Sequence, residues 1–354
     1  MSEGLDHFRL LGRSGLRLSP LTLGTMTFGV AQGWGSSDEE AGKIFHHYVE
    51  SGGNSIDTAN FYGNGGSERV LASLLQGRRD QLVVATKYSL TMRPGDSNAS
   101  GNQRKNMVQS VERSLERLQT DYIDLLYLHM WDSTTPVEEV LRAFDDLVRS
   151  GKILYAGLSD IPAWQGSRMQ AIAELRGWTP LIALQIAYNL TERTVERDLI
   201  PMALEMGMGV LPWSPLAGGV LSGKYTPRDL SAQTAQQTGR FDSRKEINLS
   251  TGRLNERNLG IAAAVAAVAD EMHRTSAQVA LAWTRLNSAT VSPIIGARTL
   301  AQLEDNLMAL EVTFSTAQIE RLESASHVDL GFPHSLLAGI TTGPIFGNIR
   351  IAAR

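Results

Sequence analysis

Short apolar runs alternate with longer amphipathic stretches along almost the whole 354-residue chain, and no other feature constrains its fold as strongly. The predicted strands are residues 21–24, 54–57, 82–87, 123–129, 153–159, 181–186, 209–213 and 292–296, eight in all. Between them, residues 38–51, 107–118 and 137–150 place apolar side chains three or four apart, the period of a helix with one buried face. Near-continuous apolar strands separated by helices describe a parallel sheet covered on its outer face. No linker rich in Pro, Gly or Ser divides the eight units, which favours one closed barrel over two doubly wound domains. The expected architecture is α/β, a parallel (β/α)8 TIM barrel made by residues 1–354 as one domain. Two apolar runs flanking Gly12 and Gly15 predict an amino-terminal β-hairpin ahead of it.

The rhythm breaks twice. Residues 216–249 form a long segment containing the polar run 231–238, and loops of that length in compact domains usually serve function. Residues 334–354, rich in Gly, Ile and Leu and poor in charge, are expected to pack on something instead of extending into solvent. Both long segments are candidate walls for a binding site at the carboxyl ends of the strands.

With 42% hydrophobic and 20% charged residues and a net charge of −4, the chain has globular composition and no field for nucleic acid. It contains no cysteine, so thiolate metal sites, disulfides and cysteine nucleophiles are excluded, and redox chemistry must come from a bound cofactor. The opening MSEGLDHFRL has no basic region followed by an apolar run, and the most apolar helical stretch, 261–269, is too short to span a bilayer. A cytoplasmic protein without membrane partners is expected; the sequence leaves room for a homo-oligomer.

Active sites of parallel barrels lie where the strands end. Asp57, Lys87 and His129 close the second, third and fourth strands, and Tyr62 follows Asp57 in a glycine-rich loop. Singly, each has an ordinary structural explanation: a helix cap, a solvated amine, a core imidazole. Together on adjacent strands they suit carbonyl reduction, in which the oxygen receiving a hydride needs a proton donor. Lys87 favours the phenolate of Tyr62 and is expected to lower its pKa, Asp57 holds Lys87, and a neutral His129 positions the substrate oxygen.

In the settings SIDTANFYG, VVATK and DLLYLH, these four residues resemble the catalytic tetrad of the aldo-keto reductase superfamily. Further motifs follow in order: GLSD at 157–160, QIAYN at 185–189, WSPLAGGVLSGKY at 213–225 and PIIGARTLAQLEDNL at 293–307. The resemblance covers nearly the whole chain and looks closest to the bacterial and potassium-channel-β-subunit side of the superfamily. It implies NADP(H) as cofactor and a small-molecule carbonyl or alcohol as substrate. Ser159, Asp160 and Gln185 would then meet the nicotinamide carboxamide, and Trp213 would stack on the ring. Lys224 and the loop of Ser214, Pro215, Leu216 and Gly218 would cover the pyrophosphate. Thr25, Gly296, Gln302, Asp305 and Asn306 would complete the cofactor contacts, with Arg298 on the adenosine phosphate. Trp34, Tyr88 and Trp131 are the implied substrate contacts.

Two positions depart from the family pattern. Asp160 stands where relatives commonly have Asn, and Trp213 where Tyr is commoner. An aspartate only accepts hydrogen bonds, so it can hold the carboxamide nitrogen but not its oxygen. An intact tetrad also fits a regulatory nucleotide-binding subunit, and that alternative stays open; a metal-dependent barrel hydrolase would need clustered ligands at strand ends, where only His129 qualifies.

Overall fold

The structure is a computed structural model and describes residues 4–29, 35–231 and 243–349. Strands β1 (Arg9–Leu10) and β2 (Arg17–Leu18) pair antiparallel as the expected hairpin. The barrel strands are β3 (Thr22–Gly24), β4 (Ser55–Asp57), β5 (Val83–Tyr88), β6 (Ile123–Leu128), β7 (Ile153–Ser159), β8 (Leu181–Ala187), β9 (Gly209–Trp213) and β10 (Ile294–Gly296). They run in the order β10-β3-β4-β5-β6-β7-β8-β9, every neighbour parallel. Val210 donates its backbone N–H to the Ala289 carbonyl at 3.0 Å and accepts from the Val291 N–H at 2.9 Å, which draws the two outer edges together into a nearly closed barrel.

Helices α1 (Asp38–Glu50), α2 (Gly66–Leu75), α3 (Arg104–Leu118), α4 (Val137–Arg149), α5 (Ala163–Arg176) and α6 (Leu199–Met206) lie between successive strands. Helices α7 (Arg244–Ser250), α8 (Glu256–Met272) and α9 (Ser276–Thr284) fill the passage from β9 to β10, and α10 (Leu300–Leu307), α11 (Thr316–Ala325) and α12 (His334–Ile340) follow. Helix α4 shows why these stretches are helical. Val137, Val140, Leu141, Phe144 and Leu147 repeat at helical spacing and are all buried, while Glu138 and Glu139 in the first turn and Arg149 in the last complement the helix dipole.

Strand alternation divides the apolar side chains into two sets. On β5, Val83 and Ala85 point into the barrel beside Leu125, Tyr127 and Leu211, whereas Val84 and Tyr88 join the packing beneath the helices. Leu11 and Leu18 of the hairpin belong to the interior set, so the hairpin stoppers the end of the barrel where the strands begin. Gly12 makes this seal. Its φ is +55°, and a Cβ there would lie 2.4 Å from the Ile182 carbonyl oxygen and 2.5 Å from that of Gly207. The other end, where the strands finish, is left for a site.

The tail departs from expectation. No residue of α12 is buried, and Phe332, Leu336, Ile345 and Ile349 are exposed. Apolar composition without a consistent period does not define one face: the helix is seven residues long, and a turn containing Pro344 follows it. The long segment after β9 contains short turns at Ala217–Ser222 and Pro227–Ser231, and α7. Its polar run lies, from residue 232 onward, outside the described residues.

Gly12→Ala should destabilise the protein by about 2–4 kcal/mol, through a disfavoured φ and a clash with backbone that cannot move aside. Urea unfolding measures it; a loss under about 0.5 kcal/mol would contradict the hairpin's role as a seal.

Candidate active site

A cavity of about 580 Å³ opens at the carboxyl ends of the strands, with Asp57, Tyr62, His129, Ser159, Asp160, Gln185 and Trp213 among its walls. Register explains the convergence. Asp57 ends β4 opposite Gly24 and Ala85, Lys87 lies opposite Tyr127, and Ser159 is paired directly with Gln185.

At the centre is a buried ion pair. Lys87 Nζ donates to Asp57 Oδ1 at 2.5 Å, to the Thr58 carbonyl at 2.9 Å and to the Tyr62 hydroxyl oxygen at 3.1 Å. An ammonium has three protons, and each has an acceptor. The second carboxylate oxygen of Asp57 accepts from Gln185 Nε2 at 2.8 Å. Burial works against the Lys87 charge, but Asp57 and Tyr62 outweigh it and raise the amine above its ordinary pKa. Because the Tyr62 oxygen accepts from Lys87, its own proton is left to point elsewhere.

Tyr62 corrects one expectation. Burial raises its pKa more than Lys87 lowers it, with Asp57 and Asp160 adding to the rise, so the phenol ends above rather than below its ordinary value. The ammonium acts in the expected direction and limits the rise. His129 stands edge-on to Tyr62, with ring centroids 6.0 Å apart and an interplanar angle of 84°. Burial and then the Lys87 charge lower its pKa to about 3, so the imidazole is neutral at neutral pH.

Next to this cluster, Trp213 donates its indole N–H to Asp160 Oδ1 at 3.1 Å. Asn189 Nδ2 donates to the Ser214 carbonyl at 3.0 Å, pinning the turn after Trp213, where Ser214 has a φ of +51°. Since Gln185 spends its N–H on Asp57, its oxygen remains as an acceptor. Two acceptors, Gln185 and Asp160, and one hydroxyl donor, Ser159, complement the two N–H bonds and one oxygen of a carboxamide. The aspartate departure is therefore compatible with a nicotinamide.

Lys224, Arg244 and Arg298 line the far part of the cavity with Ser214, Pro215, Leu216 and Gly218. Gly219 lets the lysine lie over the loop: a Cβ there would meet Lys224 Nζ at 2.7 Å. Burial, then the charges of Arg298 and Arg244, push the Lys224 amine down. Cations that repel one another around a glycine turn form the donor set that a phosphate relieves, and this cavity fits a dinucleotide. Gly296, Gln302, Asp305 and Asn306 also border it. Gln302 Oε1 accepts from the Arg298 backbone N–H at 2.9 Å, Asp305 accepts from Thr275 and Gln278, and Asn306 Nδ2 donates to the Gly296 carbonyl at 3.3 Å.

Several expected contacts are not at the cavity. Thr25 is fully buried, its hydroxyl shared with the Asp57 carbonyl and Ser67, and does not line the wall. Tyr88 points away because Lys87, its neighbour on β5, points in; it donates to the Asn102 carbonyl at 3.1 Å and packs on Phe144. Trp131 packs against the apolar layer under the helices. Trp34 lies outside the described residues. Met26, Phe61, Leu90 and Met130 line the cavity instead. Sequence reading also missed Arg244, although Ser243 three residues before Glu246 is a helix-start signal that places this arginine at the head of α7.

Comparison with known proteins agrees with this geometry. The model of the aldo/keto reductase family matches residues 20–327, and the chain belongs to that family. It is 38% identical over 346 residues to a norsolorinic acid reductase of Aspergillus flavus, covering 94% of this chain and 84% of that one. It is 36% identical over 345 residues to an aryl-alcohol dehydrogenase [NADP(+)] of Phanerodontia chrysosporium, covering 93% and 88%. Among the described residues, no helix is long and apolar enough to cross a membrane.

The neutral His129 has a measurable consequence. Its folded pKa lies near 3 and its ordinary value is 6.5, so below pH 6.5 the unfolded chain binds a proton that the folded one refuses. The associated stability is complete above pH 6.5 and drains away as pH falls towards 3, by up to about 1.4 kcal/mol per pH unit. Between pH 7 and pH 5, urea unfolding should show the wild type losing about 2 kcal/mol more than His129→Gln. Equal losses would contradict a buried neutral imidazole.

Proposed function

We propose that the protein is an NADP(H)-dependent oxidoreductase that interconverts an aldehyde or ketone and the corresponding alcohol, with the chain acting as one barrel domain. The three-way contact of Lys87 with Asp57, Thr58 and Tyr62 is the observation that supports this reading most directly. Bound NADPH supplies the hydride. Ser159, Asp160 and Gln185 hold its carboxamide, Trp213 gives an aromatic face, and Lys224, Arg244 and Arg298 receive the phosphates.

Tyr62 is the general acid in reduction and the general base in oxidation. With its oxygen accepting from Lys87, its proton is available to a substrate oxygen in the cavity, and the ammonium stabilises the phenolate left behind. Neutral His129 orients the substrate oxygen and stabilises charge developing on it. Met26, Phe61, Leu90 and Met130 offer apolar and aromatic surface beside these groups, which suits an aryl-bearing carbonyl. The name of the aryl-alcohol dehydrogenase relative agrees with that class.

Tyr62→Phe should lower the rate of aldehyde reduction by about 10²-fold or more while NADPH affinity stays within about twofold. Wild-type turnover in the variant, with chemistry limiting, would overturn the assignment. Lys87→Met should slow reduction at neutral pH and move the pH–rate profile upward, since burial of the phenol then goes unopposed.

Arg298→Ala should weaken NADPH by about tenfold to a hundredfold and leave NADH nearly unchanged, because the arginine serves the adenosine phosphate. Equal losses for both cofactors, measured by titration, would remove Arg298 from that role.

A further inference from the structure

Asp160 follows β7 in the left-handed backbone region, with φ +42°, which aspartate tolerates better than most side chains. It faces the main cavity beside Ser159 and Gln185, and the Trp213 indole N–H fixes its carboxylate. Trp213 is also a wall of a second, polar cavity of about 370 Å³. Arg253 lies on that side, its guanidinium carbon 5.5 Å from the Trp213 ring centre, and is not a wall of the main cavity.

An asparagine at 160 would offer the same accepting oxygen to Trp213 and to a carboxamide. Aspartate replaces the donating NH2 by a second accepting oxygen and adds a negative charge, and only the charge distinguishes the oxidised ring from the reduced one. Burial opposes that charge and raises the carboxyl above its ordinary pKa, while the Trp213 N–H and then the charges of Lys87 and Arg253 limit the rise. Of the other charges near the reaction centre, Asp57 and Lys87 are paired with each other and nearly cancel beyond contact range.

We propose that Asp160 selects the redox state of the cofactor: its carboxylate binds the oxidised, cationic nicotinamide more tightly than the neutral reduced ring, and so draws the equilibrium on the protein toward carbonyl reduction. This rests on the NADP(H) reading given above. In reduction, a hydride with its two electrons passes from the ring to the carbonyl carbon, the carbonyl π pair takes the Tyr62 proton, and the ring is left with one positive charge. A fixed anion at the wall of the cavity stabilises that product and the charge developing on the way to it. Arg253, beyond the indole, acts in the opposite sense and sets how far the preference goes.

Calorimetric titration of wild type, Asp160→Asn and Arg253→Gln with NADP+ and with NADPH tests this. Asp160→Asn should lower the preference for NADP+ over NADPH by about fivefold to tenfold, and Arg253→Gln should raise it by about twofold to threefold. Equal weakening of both cofactors by Asp160→Asn would reduce the carboxylate to a hydrogen-bond acceptor and overturn the proposal. So would an unchanged ratio, or a ratio that Arg253→Gln moves in the same direction. If Asp160→Asn does not fold, Asp160→Ser, which removes the charge and keeps a small polar side chain, is titrated in its place and should lower the NADP+ preference in the same way. Wild type that binds neither cofactor would instead refute the NADP(H) reading, and this inference with it; binding of both with ratios indifferent to the two substitutions refutes the inference alone.

Discussion

The buried pair of Lys87 and Asp57 is the interaction on which the rest of the site depends. An ammonium removed from water is costly unless every proton is taken up, and here Asp57, the Thr58 carbonyl and the Tyr62 oxygen take all three. The same pair dictates its surroundings. Asp57 turns the Gln185 amide so that its nitrogen faces inward, which leaves the amide oxygen on the cavity side; Lys87 turns the Tyr62 proton outward; and its charge helps keep His129 neutral. Removing one partner would leave an uncompensated charge in the barrel and undo the orientation of three neighbours.

The barrel separates support from chemistry. At one end the hairpin packs Leu11 and Leu18 into the interior, so closure there does not call on the strand ends that carry ionisable groups. At the other end the cavity has two poles: one around Tyr62 and His129, where a proton can be held and moved, and one around Lys224, Arg244 and Arg298, where positive charge accumulates. Asp160 and Trp213 line the same cavity, joined by one hydrogen bond. A ligand spanning both poles must carry anionic groups at one end and a reacting group at the other.

The fold was legible because each barrel strand is an apolar run bounded by polar residues, and register was enough to bring Asp57, Lys87 and His129 to one rim. Strand parity also held the answer for Tyr88: a residue next to an inward lysine must face outward. Other features were not accessible in this way. The bond between Asp160 and Trp213 joins residues 53 positions apart, and the raised pKa of Tyr62 depends on burial that no local pattern reports. The apolar tail misled because composition alone assigns no face.

The most direct test of the central claim follows the hydride itself. NADPH carrying deuterium at both nicotinamide C4 positions, incubated with the protein and an aromatic aldehyde, should yield an alcohol carrying one deuterium on its carbinol carbon by mass spectrometry. An alcohol without that label, or no alcohol from any aldehyde or ketone offered, would contradict the account.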